Sequence, residues 1–191
     1  MLLLCGKTAA GKDTIKKELI KLGMNSIVTY TTRDMREGEV DGVSYHFVTK
    51  EKFSELEYSG FFAETSSYNT ANGVCYYGTA CESLDEDSVI IVNPDGLKQL
   101  IKHKELNPVV VYITCDEATI WNRLRKRGDD NVEARRRINA DNTDFEDVVE
   151  YADLCIKNKD ISIHDLALYI YDFYGTKMFY KRFYAKEIAD D

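Results

Sequence analysis

Four short apolar runs punctuate the chain: Leu2 to Cys5, Val89 to Val92, Val109 to Thr114 and Leu154 to Ile156. Uninterrupted runs of this length suit strands buried on both faces, as in a parallel sheet. The segments between them carry helical spacing. Ile15, Leu19 and Leu22 mark a helix over Asp13 to Leu22, Ala118 to Lys126 read as another, and Ile163 to Phe173 as a third, capped by Ser162 with Asp165 three places on. Alternating strand and helix predicts an α/β fold with a parallel sheet flanked by helices. Residues 26 to 80 follow a different pattern. Ser26 to Thr31 and Val43 to Val48 predict strands, Lys50 to Tyr58 a short helix ending at Gly60, and Asn72-Gly73 a hairpin turn before a strand at Val74 to Tyr77. That pattern predicts an inserted, mostly antiparallel subdomain.

A length of 191 residues, 44% of them hydrophobic, is enough to bury the core of one domain. The formal charge of −8 argues against a general binder of nucleic acid or anionic membrane, so any basic site must be local. Cys5, Cys75, Cys81, Cys115 and Cys155 are odd in number and scattered, without metal-ligand spacing. Reduced thiols in a cytoplasmic protein fit this pattern better than disulfides or zinc. The opening MLLLC is too short for a signal peptide, and no apolar run approaches the ~20 residues of a membrane span.

The first apolar run leads directly into the candidate chemistry. Residues 3 to 14 read LLCGKTAAGKDT, with Gly6, Gly11 and Lys12 at the spacing of a phosphate-binding loop between a strand and a helix. Backbone N–H groups of Lys7, Thr8, Ala9, Ala10 and Gly11, together with the helix N-terminus, can surround a polyphosphate, while Lys12 supplies a point charge. The Ser or Thr that ordinarily follows the lysine and meets Mg²⁺ is Asp13 here, with Thr14 one place later. Asp13 is therefore expected to meet the hydration shell of Mg²⁺ and Thr14 a donor phosphate. An ordinary Gly-containing strand-to-helix turn is the alternative for this stretch alone.

A second cluster, TYTTRDMREGEVDGVSYHF over residues 29 to 47, gathers hydroxyls, Arg33, Arg36 and Tyr45. Arg binds phosphate through two parallel hydrogen bonds, and Tyr or Thr adds neutral donors, so the cluster suits a phosphate monoester; a solvated charged hairpin has the same composition. Between Arg123 and Arg137 lie seven basic residues, a local cationic patch in an acidic chain. Arg125, Lys126, Arg135 and Arg136 also suit a solvated helix face.

At this point the sequence resembles guanylate kinase, whose phosphate loop is followed by a TTRxxRxGExxGxxYxF stretch. Thr31-Thr32-Arg33, Arg36, Gly38-Glu39, Gly42, Tyr45 and Phe47 match it, followed in order by Phe62-Ala63-Glu64, Tyr76-Tyr77-Gly78-Thr79, Arg123-Leu124, Arg127-Gly128, Arg137 and Asn158. The resemblance covers residues 2 to 172. It implies a P-loop core (1–28 and 81–175), a GMP-binding subdomain (29–80) and a helical lid (about 123–141), leaving an aromatic C-terminal extension (176–191).

The activity implied is ATP-dependent phosphorylation of GMP and dGMP, assisted by Mg²⁺. Arg33, Arg36, Tyr45 and Tyr77 would hold the acceptor phosphate, Thr29, Glu64, Thr79 and Asn93 would face guanine, and Asn158 would join the phosphate loop at ATP. Lys12, Arg33, Arg123, Arg127 and Arg137 would neutralise the transferred charge, with Gly128 and the polar stretch after it as a hinge. The family has a second acidic residue where this chain has Asn93, and the loop from Glu64 to Tyr76, containing Ser66 to Gly73, is a few residues longer than usual. Another (deoxy)nucleoside monophosphate as acceptor, or a non-catalytic binding module of the same fold, stays open. In the tail, Tyr169, Tyr171, Phe173, Tyr174, Phe179, Tyr180, Phe183 and Tyr184 suit a terminal helix or a homodimer contact.

Overall fold

The computed structural model describes residues 1–70 and 73–189. In chain order its first half comprises β1 (Leu2–Cys5), α1 (Lys12–Lys21), β2 (Asn25–Ser26), β3 (Tyr30–Thr31), β4 (His46–Phe47), α2 (Lys50–Tyr58), β5 (Phe62–Thr70) and β6 (Gly73–Ala80). Then follow β7 (Ser88–Ile91), α3 (Pro94–Leu100), β8 (Val109–Thr114), α4 (Glu117–Arg127), α5 (Asn131–Asp144), β9 (Leu154–Lys157) and α6 (Ile163–Ala189).

A five-stranded sheet of order β2-β7-β1-β8-β9 is parallel throughout, with β1 at its centre. Alternation of side chains explains why β1 reads as a continuous apolar run. Leu2 and Leu4 join Ile15 and Leu19 of α1 and Leu166 and Ile170 of α6 on one face, while Leu3 and Cys5 join Leu97, Leu100 and Val148 on the other. Each fully buried leucine contributes about 1.5–3 kcal/mol relative to exposure.

The second sheet has the order β4-β3-β6-β5, antiparallel except for the β3–β4 pair. Its core is aromatic. Phe53 of α2 is 1% exposed and stacks on Phe62 at 4.6 Å. Gly78 makes this approach possible, because a Cβ there would lie 2.9 Å from the Phe62 ring and 3.1 Å from that of Phe53.

The expected strand over Ser26 to Thr31 is two short strands in different sheets, because the chain crosses between the sheets at buried Ile27. The strand expected over Val43 to Val48 shortens to β4, since Asp41 to Tyr45 are consumed in a turn closed by Gly42 N–H donating to the Tyr45 carbonyl at 2.8 Å. The stretch read as a long loop after Glu64 is a paired strand, β5, in register with β6 from Glu64↔Thr79 to Thr70↔Gly73. Asn72 of the expected Asn72-Gly73 turn lies outside the described residues. Of the polar stretch expected as a hinge after Gly128, only Gly128 to Asp130 are non-helical; α5 begins at Asn131, its start capped by Asp130 accepting from Val132 and Glu133 N–H.

α6 continues well past Phe173. Asp165 N–H donates to Ser162 Oγ at 3.0 Å, as the capping pattern predicts. Tyr174 and Met178 are buried, whereas Phe179 and Phe183 are 65% and 52% exposed. Asp190 and Asp191 at the end of the tail lie outside the described residues.

Candidate active site

The loop between β1 and α1 depends on two glycines. A Cβ on Gly6 would lie 2.4 Å from the Ile113 carbonyl oxygen of β8, and one on Gly11, where φ is +100°, would lie 2.3 Å from Asn158 Nδ2. Gly11 caps α1 with no side chain to satisfy its first turn, so those N–H groups are left for an anion. Lys12 Nζ folds over the loop and donates to the carbonyls of Gly6 (2.5 Å) and Lys7 (3.0 Å). Burial lowers the Lys12 pKa, and the Asp13 carboxylate is the strongest influence opposing that shift. Asp13 and Thr14 are exposed on the first turn of α1.

Asn158 and Arg123 brace the loop from behind. Asn158 Nδ2 donates to the Ala10 carbonyl at 2.7 Å, and Arg123 donates to the carbonyls of Ala9 (3.0 Å) and Asn158 (3.4 Å). Ile120, Leu124, Ala134 and Ile138 pack α4 on α5, with Ala9 of the loop against them.

The second cluster surrounds Arg33. Its guanidinium lies over the rings of Tyr45 (5.2 Å) and Phe47 (5.6 Å) and is held by both oxygens of Glu39 at 2.7 and 2.9 Å. Tyr77 meets Tyr45 edge-on at 6.0 Å and interacts with Arg33. Arg36 is exposed, with its N–H donating to Glu39 at 2.7 Å. Thr29 precedes β3, and its carbonyl accepts from His46 N–H.

Further along the same face of the β5–β6 hairpin lies a buried carboxylate. Thr79 Oγ1 donates to Glu64 Oε1 at 2.6 Å, and the two residues are 0% and 6% exposed. Burial raises the Glu64 pKa, an effect the Thr79 hydroxyl opposes. Asn93 caps α3, accepting from Gly96 N–H at 2.8 Å.

Electrostatic influence links the two clusters. Asp13 lies within electrostatic range of Tyr45 in the arginine-tyrosine cluster, of Arg127 at the end of α4 and of Lys12. Asp129, between α4 and α5, lies in range of Arg36.

A family model described as Guanylate kinase matches residues 1–171. The chain belongs to the guanylate kinase family. It is 36% identical over 152 residues to a guanylate kinase of Nitratidesulfovibrio vulgaris, covering 73% of this chain and 70% of the relative. To a guanylate kinase of Clostridioides difficile it is 33% identical over 174 residues, covering 84% and 80%. The crystal structure of guanylate kinase from Anaplasma phagocytophilum shares the fold, with a TM-score of 0.68 at 22% identity, covering 93% of this chain and 85% of that one. Membership of the guanylate kinase family implies phosphorylation of nucleoside monophosphates. Among the described residues no helix is long and apolar enough to cross a membrane.

In this member of the guanylate kinase family, several residues that sequence reasoning missed partner those it singled out. Arg127 is held by Asp129 at 2.6 and 2.9 Å, and Arg137 by Glu133 at 2.8 Å and Asp129 at 3.6 Å. Arg125 and Arg135 lie over the Trp121 ring, and Arg136 pairs with Glu133. From α5, Asp141 Oδ2 accepts from Thr8 N–H at 2.6 Å, and Asn142 Oδ1 accepts from Lys7 Nζ at 2.6 Å. A carboxylate thus occupies an amide of the phosphate loop, and burial raises its pKa. Nothing in the local sequence around Asp141 signals this contact.

Proposed function

We propose that the protein transfers the terminal phosphoryl group of ATP to GMP and dGMP, giving ADP and GDP or dGDP. The observation that carries this reading is the shared face of the β5–β6 hairpin: Glu64 and Thr79 lie directly opposite each other, and Tyr77, two residues from Thr79, faces Arg33 and Tyr45. A guanine edge against Glu64 offers N1–H and the exocyclic amine as adjacent donors to a carboxylate. Adenine presents an acceptor at N1 and would leave the buried carboxylate unpaired, a costly mismatch. The phosphate of the same nucleotide then reaches Arg33, Arg36, Tyr45 and Tyr77, with Thr29 and Asn93 completing the acceptor site.

The acceptor phosphate is already an anionic nucleophile, so the protein's work is alignment and charge neutralisation rather than proton abstraction. Gly6 through Thr14 would hold the donor phosphates, with Asn158 maintaining the shape of the loop. Lys12, Arg33, Arg123, Arg127 and Arg137 would face the transferred group, and closure of α4 and α5 would exclude water. Among the described residues no group of three or more His, Cys, Asp or Glu is arranged to hold a metal ion. We infer that Mg²⁺ arrives on the nucleotide with mostly phosphate and water ligands, where Asp13 would meet its hydration shell and Thr14 would donate to a donor phosphate. Bound there, Mg²⁺ would supply charge neutralisation of the polyphosphate.

The test is coupled ADP release with ATP and Mg²⁺ across GMP, dGMP, AMP, UMP and dTMP. Turnover of the two guanine nucleotides is expected; preference for AMP or a pyrimidine, or no acceptor-dependent ADP release, overturns the reading. A cytoplasmic setting fits five scattered cysteines, odd in number and without metal-ligand spacing. For the exposed aromatics of α6 we infer homodimer contact, which a monomer at every concentration in sedimentation equilibrium would remove.

A further inference from the structure

One residue after Glu64, β5 is gripped by a side chain that no part of the mechanism above uses. β5 lies at an edge of its sheet, and its register with β6 slips between Phe62 and Glu64, leaving Ala63 without an opposite residue. A bulge of this kind bends the strand and interrupts its ladder, so pairing with β6 alone holds Glu64 weakly. The hold comes from the open edge. Thr65 N–H donates to Gln99 Oε1 at 3.1 Å, and Gln99 Nε2 donates back to the Thr65 carbonyl at 2.8 Å.

A side-chain amide bound in this way takes the place of a further strand, engaging both backbone groups that one residue presents on the open edge. Its orientation is fixed as well, because Nε2 also donates to the Asp95 carbonyl of α3 at 3.2 Å. Thr65 Oγ1 donates to Glu57 Oε1 of α2 at 2.9 Å. Thr65 thus ties α2, on the second sheet, to α3, which is rooted in the core of the parallel sheet by Leu97 and Leu100. Gly96 stands three residues before Gln99 on the same face of α3, and a Cβ there would lie 2.7 Å from Glu64 Oε2. One helix face therefore leaves room for the carboxylate and holds the backbone beside it.

We propose that Gln99 is a positioning residue of the acceptor site: it fixes β5 at Thr65 and thereby sets the Glu64 carboxylate against the base of GMP. The inference rests on the GMP reading given above. Calorimetric GMP binding and steady-state kinetics would be measured for the wild type, Gln99→Met, Gln99→Ala, Glu64→Gln and the variant carrying both Gln99→Met and Glu64→Gln. Met and Ala are both good helix formers that remove the two bonds to Thr65, and Met keeps the bulk of the side chain.

Gln99→Met and Gln99→Ala are each expected to weaken GMP binding and raise its KM about tenfold, the scale of two modest hydrogen bonds, with kcat and the KM for ATP changed less than about twofold. In the Glu64→Gln background, Gln99→Met should cost less than about twofold more, because the group it positions is already disabled. Losses that multiply in the double variant, or a KM for ATP that rises with that for GMP, would assign Gln99 to general stability and overturn the inference. Wild-type GMP binding in Gln99→Met, beside a weakened Glu64→Gln, overturns it alone. Wild-type GMP binding in Glu64→Gln overturns the acceptor reading and this inference together. Protein that binds GMP without phosphorylating it defeats only the kinase reading, and the binding ratios then decide on Gln99 by themselves.

Discussion

Replacing Glu64 by Gln separates stability from activity in opposite directions. In the wild type the Glu64 carboxylate is 6% exposed, with one hydrogen bond from Thr79 at 2.6 Å and a pKa raised by burial. Gln keeps that bond through its carbonyl oxygen and removes the buried charge, so the variant should melt at the same temperature or higher. Against guanine the exchange is unfavourable. An acceptor becomes an N–H facing N1–H, and charge-assisted bonds are lost, for about 3 kcal/mol and on the order of a 100-fold fall in kcat/KM for GMP. The pH dependence has a definite sign. A carboxyl with a folded pKa above its unfolded value of about 4.3 detracts from stability above the folded pKa and regains it as pH falls into the interval between the two. GMP binding weakens as pH falls through the folded pKa, because the protonated acid has lost an acceptor. Steady-state kinetics followed towards acid pH, with scanning calorimetry alongside, should show an acid limb for GMP in the wild type that exceeds the one the Gln variant shares through protonation of the substrate phosphate. Retention of GMP turnover within about threefold, or a stability loss above about 1 kcal/mol, would show that Glu64 is a structural ion instead of a base reader.

Asp141→Asn removes a negative charge from the Thr8 amide and is expected to tighten ATP about threefold to tenfold by calorimetry; weaker binding would place Asp141 on the nucleotide's side of the balance. Gly11→Ala forces a side chain into a left-handed backbone and against Asn158, and should cost about 2–4 kcal/mol in urea unfolding together with loss of ATP binding. Normal unfolding with normal ATP affinity would refute that account of the loop. Phe53→Ala empties the aromatic core of the second sheet and should cost about 3–5 kcal/mol, a loss that chemical denaturation measures directly.

The parallel sheet was legible because strands buried on both faces must be apolar at every position. β5 was not, because its sequence FAETSSYNT is polar on both faces: one lines the cleft, and the other is held by Thr65 bonding to Glu57 and Gln99. α5 was legible only through the helical lid that the family resemblance implies and not from its own pattern, which lacks a broad apolar stripe, since only Ala134 and Ile138 are buried. In the candidate site the glycine spacing and the matched family stretch located the groups of the phosphate loop and the arginine-tyrosine cluster. The bracing of the loop by Arg123 and the Asp141–Thr8 contact arise from the packing of α4 and α5 on Ala9, which no local pattern encodes.

Arg33, Arg127 and Arg137 each carry their own counterion in the form of Glu39, Asp129 and Glu133. An anion entering the cleft must therefore outbid a tethered carboxylate, which a dianionic phosphate does and chloride or an isolated monoester linkage does poorly. Substrate affinity should consequently depend less on ionic strength than the number of guanidinium groups suggests, because few mobile ions are released on binding. The same internal neutralisation would keep the proposed site from acting as a trap for polyanions such as RNA.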